Sequence, residues 1–158
     1  MHPDQQIAER INRASFLDLI SIHIRGISQL ELTVREAIVN EHKRGQPFAG
    51  SDRPELAEIT RDAAPIESVE GCLSYRLYWK RFVAYLVTEE CVGSCGNYDD
   101  EFYEGRVFRL YSKSHLLDHL SRDTGAHFNP LIHYKLVCLN QLIDVAAEDP
   151  PAINIIST

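Results

Sequence analysis

Residues 72–88 read Cys-Leu-Ser-Tyr-Arg-Leu-Tyr-Trp-Lys-Arg-Phe-Val-Ala-Tyr-Leu-Val-Thr, and this stretch constrains the fold more than any other. Leu73, Tyr75, Leu77 and Trp79 alternate with Ser74, Arg76, Tyr78 and Lys80, the period of a strand with one buried face. After Lys80-Arg81, residues 82–88 are apolar on both faces, which predicts a central strand covered on two sides. The two segments together predict a hairpin, and a hairpin predicts antiparallel pairing.

The flanking chain extends that reading. Asp4 offers an N-cap to a helix over 4–16, with Ile7, Ala8, Ile11 and Ala14 at helical spacing. Ile20, Ile22 and Ile24 alternate before Gly26, and Leu30, Leu32 and Val34 alternate after it. The density of β-branched residues favours two strands there over one helical stripe. Residues 40–55 mix Gly and Pro with polar residues and predict a loop, flexible in character. Further strands are expected at 107–111, 132–138, 142–146 and 153–156, with Cys72 and Cys138 as strand residues. Ser112 offers an N-cap to a helix near residues 113–122 that Gly125 would end. The expected class is α+β: a single globular domain over 1–158, mainly antiparallel β-sheet, with the N-terminal helix and the 113–122 helix packed on it.

At 158 residues the chain is long enough to bury a core without disulfides or a structural metal. Its longest apolar run, 82–87, falls far short of the roughly 20 residues a membrane helix needs, and the N-terminus has no secretory pattern, so the cytoplasm is the expected compartment. Sixteen Lys and Arg stand against 23 Asp and Glu, a net charge of −7. That balance argues against nucleic acid or an anionic membrane as partner and favours a basic protein.

Two stretches carry candidate chemistry. In His115-Leu-Leu-Asp118-His119 the histidines lie one helical turn apart on one face, as two metal ligands would. The spelling resembles the inverted zinc-protease motif His-x-x-Glu-His, but aspartate stands where that motif has its catalytic glutamate. A zinc or other divalent metal site would need a third ligand, for which His127, His133 and Asp123 are the nearby residues. The simpler reading is the polar flank of an amphipathic helix whose stripe is Leu116, Leu117 and Leu120, with His133 facing solvent opposite Ile132 and Tyr134. Cys91 and Cys95 match neither a redox pair nor a zinc pair in spacing.

The second stretch is acidic and aromatic: Glu89 and Glu90, then Tyr98, Asp99, Asp100, Glu101, Phe102, Tyr103 and Glu104, with no Lys or Arg from 89 to 104. Large aromatics make binding hot spots, and an acidic rim steers a basic partner towards them. With no Gly-x-Ser-x-Gly elbow, phosphate loop or dinucleotide fingerprint in the chain, the expected function is a small non-catalytic protein-binding domain without a cofactor. An immunity or antitoxin-like inhibitor of a basic partner is the class-level analogy. The alternatives are a metal-dependent hydrolase built on the His-Leu-Leu-Asp-His helix and a ligand-binding or oligomeric scaffold domain.

Overall fold

The computed structural model describes residues 3–46, 54–93, 100–123 and 130–156. Helix α1 (Pro3–Arg13) leads into β1 (Phe16–Arg25) and β2 (Gln29–Val39), joined through Gly26, whose φ of 61° is the left-handed conformation a tight turn needs. A 3-10 turn at Glu41–Lys43, helix α2 (Pro54–Ile59) and the short β3 (Ile66–Glu67) precede β4 (Ser74–Trp79) and β5 (Phe82–Glu89). Then follow α3 (Glu90–Gly93), β6 (Phe102–Glu104), β7 (Phe108–Lys113), α4 (His115–Asp123), β8 (Ile132–Val137), β9 (Gln141–Ala147) and β10 (Ala152–Ile156).

These strands form two antiparallel sheets. The first runs β1-β2-β4-β10 with β3 on β2; the second runs β5-β9-β8-β7-β6. The fold is α+β, as the alternation of strand and helix patterns predicts. Apolar faces of both sheets contribute to one core. Leu32, Val34, Tyr75, Leu77 and Trp79 from the first meet Phe108, Tyr134, Leu136, Ile143 and Val145 from the second, and Ile11 of α1 joins them. Trp79 sets its ring edge-on to Tyr134 across the sheets at 5.8 Å, a geometry aromatic quadrupoles favour.

The predicted β4–β5 hairpin does not form. β4 pairs with β2 and β10, whereas β5 pairs with β9, so Lys80-Arg81 carries the chain from one sheet to the other. The doubly apolar β5 is an edge strand; the strand buried on both faces is β9, where every residue from 142 to 147 is buried. In β1 the register slips between Leu19 and Ser21. Leu19 and Ile22 therefore both pack on the core while Ile20 is left 53% exposed, as an inserted residue in a pleated strand requires. Cys72 and Cys138 are buried, but each lies just outside a strand. Burial, reinforced by Asp18, pushes the Cys138 thiol up to about 12, so it stays protonated and unreactive.

One polar hub fixes the β6–β7 connection. The Asn12 side-chain oxygen accepts from the amides of Arg106, Val107 and Phe108 at 2.8, 3.0 and 2.9 Å, and its Nδ2 donates to the Phe108 carbonyl at 3.0 Å. Gly105 turns the chain there at φ 92°, and a Cβ on it would lie 2.2 Å from the Phe108 oxygen. Only glycine fits that approach.

Candidate functional site

The antiparallel register decides which side chains share the outer face of the second sheet. Tyr111, His133 and Ala146 lie opposite one another across β7, β8 and β9; Arg109, Lys135 and Asp144 form the next row. The expectation that His133 faces solvent is overturned. It does point away from Tyr134, but the far face is covered, and His133 is only 2% exposed.

What covers it is the start of α4. Ser114, 1% exposed, lies between β7 and α4, and its hydroxyl oxygen accepts the Leu117 amide at 3.2 Å. Ser114 is therefore the helix cap. Ser112, expected in that role, lies within β7 and donates its hydroxyl to the Phe102 carbonyl at 3.3 Å.

The Ser114 oxygen also lies 2.9 Å from His133 Nδ1, and His133 Nε2 lies 2.7 Å from Asp144 Oδ1. An ionised carboxylate only accepts, so Nε2–H donates to Asp144; in the neutral ring Nδ1 accepts the Ser114 hydroxyl. Lys135 Nζ, 3.1 Å from the same Asp144 oxygen, supplies the counter-charge that a buried carboxylate needs. Tyr111 stacks on the imidazole at 4.3 Å and 18°. A Ser–His–Asp chain has the composition of an acyl-transfer triad. Here the serine is 1% exposed, with its hydroxyl donated to His133 and one of its two lone pairs engaged by a helix amide, so it is closed off from a substrate carbonyl. The relay instead ties the first turn of α4 to the centre of the sheet.

The acidic segment and the histidine helix, separate in the sequence, meet at that same turn. Glu101 accepts the His115 amide at 2.9 Å, placing a carboxylate at the helix N-terminus, where the aligned peptide dipoles favour it. Asp100 pairs with His115 Nε2 at 3.0 Å. His119, exposed as expected, faces Asp123 at 3.4 Å, one turn further along its own helix. Each histidine of α4 thus has its own carboxylate, and Asp118 is exposed beside them. Among the described residues no group of three His, Cys, Asp or Glu side chains converges as metal ligands would. Tyr98, Asp99, Cys95 and His127 lie outside the described residues.

No family model, curated protein or solved structure matches this chain. Glu89 ends β5 and Glu90 begins α3, both exposed and on the opposite side of the sheet order from β6. On β6, the other edge, Phe102 is 59% and Tyr103 46% exposed. Arg109 lies 4.5 Å over the Tyr103 ring and Lys113 5.9 Å over Phe102, contacts that hold both rings in place by cation–π attraction. Glu104 is exposed beside them. Clefts of about 630 and 680 Å³ lie elsewhere, the first beside Lys43, Glu67 and Leu139, the second beside Arg10, Arg13 and Glu36. At the margin of the second, Tyr75 donates its hydroxyl to Glu36 at 2.5 Å, and burial together with that carboxylate holds the hydroxyl well above its ordinary range.

Sequence reasoning missed Ser114, Lys135 and Asp144. A signal for two of them was present. A tight turn at Leu139-Asn140 aligns Lys135 with Asp144 and puts His133 on the diagonal of Asp144, all on one face.

Proposed function

We propose that this chain is a non-catalytic protein-binding domain whose contact surface is the β6 edge with its exposed Phe102 and Tyr103. The observation that carries this reading is the exposure of two adjacent aromatics, 59% and 46%, on the outermost strand of a sheet. Large rings held in place are low-entropy anchors for a partner's side chains. Glu104 and Asp100 at the rim, with a net charge of −7 on the whole chain, suit a basic partner. An inhibitor of a basic protein in the cytoplasm would have these properties. Asp100 and Glu101 contribute twice, since they also anchor α4, so neutralising them would disturb the surface as well as its charge.

The aromatic pair gives the cleaner test. In crosslinked extracts of the source cells, the wild-type chain should retain a basic protein that the Phe102→Ala/Tyr103→Ala double variant loses. The expected loss is about 2 kcal/mol or more, roughly thirtyfold in affinity. Equal retention by both proteins, with the variant folded, would remove β6 as the contact surface.

A further inference from the structure

The second sheet has another edge, and it is built differently. β1 carries Asp18, His23 and Arg25 and a register slip, β10 follows Pro150-Pro151 and packs against α1, and β6 is three residues long. Charges, irregularities, short length and cover are the devices by which proteins keep sheet edges from pairing. β5 has an irregularity only at its start, between Phe82 and Ala84. It is eight residues long, without charge or proline from 82 to 88, and Tyr85, Leu86 and Val87 are 37%, 52% and 37% exposed in succession.

Its flanks are self-complementary. Lys80 and Arg81 precede the strand, Glu89 ends it and Glu90 opens α3 directly after it. When two copies pair antiparallel about a two-fold axis at Tyr85, Arg81 of one comes to the end of the ladder where Glu89 of the other lies, with Lys80 and Glu90 just beyond that end on either side. In-register parallel pairing would instead set Lys80 against Lys80 and Glu90 against Glu90, and an antiparallel shift of two residues or more takes these charges out of register. Arg81 already reaches Glu148 at 3.5 Å, yet its side chain is 59% exposed and open to a second carboxylate. We infer that β5 is a homodimer interface, in which two copies of this chain join their second sheets edge to edge. Such an interface is isologous, so each contact is made twice. It leaves β6 free at both outer ends, independent of the recognition role assigned there.

A two-strand junction lies at the small end of specific interfaces, so dissociation is expected on the order of micromolar. Sedimentation equilibrium of the full chain over roughly 1–100 µM, bracketing that range, should show a monomer–dimer equilibrium. Leu86→Lys should be monomeric, with circular dichroism checking that it folds. Lys80→Glu and Glu90→Lys, both at exposed positions, should each weaken the dimer, and the two combined in one chain should restore it. A wild-type chain that stays monomeric throughout would overturn the inference. A dimer indifferent to both charge reversals would do the same, whatever the fate of Leu86→Lys.

Discussion

Asp144→Ala is expected to destabilise the protein by about 3–5 kcal/mol, because it removes one partner from a buried ion pair and leaves the others unpaired. Asp144 is 6% exposed and accepts from both His133 and Lys135 through one oxygen. Lys135 can swing towards solvent, but the imidazole cannot, so its Nε2–H is left buried without an acceptor. Arg44→Ala supplies the contrast. The Arg44–Glu41 pair is about half exposed on both sides, and its loss should cost under about 1 kcal/mol. Urea denaturation of both variants measures the difference. A cost for Asp144→Ala as small as that for Arg44→Ala would mean the relay does not hold the structure.

The second large effect lies in the core. Trp79→Ala should cost about 3–5 kcal/mol, from lost burial and the cavity left between the sheets. Trp79 is 1% exposed, and its Nε1 has no hydrogen-bond partner among the described residues. Trp79→Phe keeps an aromatic edge against Tyr134 and removes that unpaired N–H, so it should cost markedly less than the alanine variant. Denaturation followed by far-ultraviolet circular dichroism serves here, since both variants lose the only tryptophan. Equal costs would place the energetics of Trp79 outside the contact between sheets.

How much of this was legible in the sequence differs from element to element. The alternation at 73–79 marks β4 and its buried face, and the β-branched density at 19–34 rightly favours strands. Helix α4 and its exposed histidines also follow from spacing alone. Pairing partners do not follow, because a period of two says which way side chains point and nothing about which strand lies alongside. For that reason 82–88 reads as central, although among the described residues β5 pairs with a strand on one side alone. His133 failed for a related reason. Its face was assigned correctly relative to Tyr134, but an outer face is solvated only if no helix crosses it, and the Ser114 cap brings one there. The rivalry between the acidic segment and the histidine helix dissolves in three dimensions, since Asp100 and Glu101 bind the first residue of α4.

The buried relay and the exposed edge are thus mechanically linked: Ser114 joins α4 to His133, and Glu101 joins α4 to β6. Hydrogen exchange of the Ser114→Ala variant tests that link most directly. Losing the cap costs the helix about 1 kcal/mol and leaves His133 Nδ1 without its partner. Amide protection should fall across 115–123 and 102–104 together, while β2 and β4 in the other sheet keep theirs. Unchanged protection in α4 and β6, in a variant confirmed to lack the hydroxyl, would contradict the coupling and leave the aromatic edge as a surface that the relay does not support.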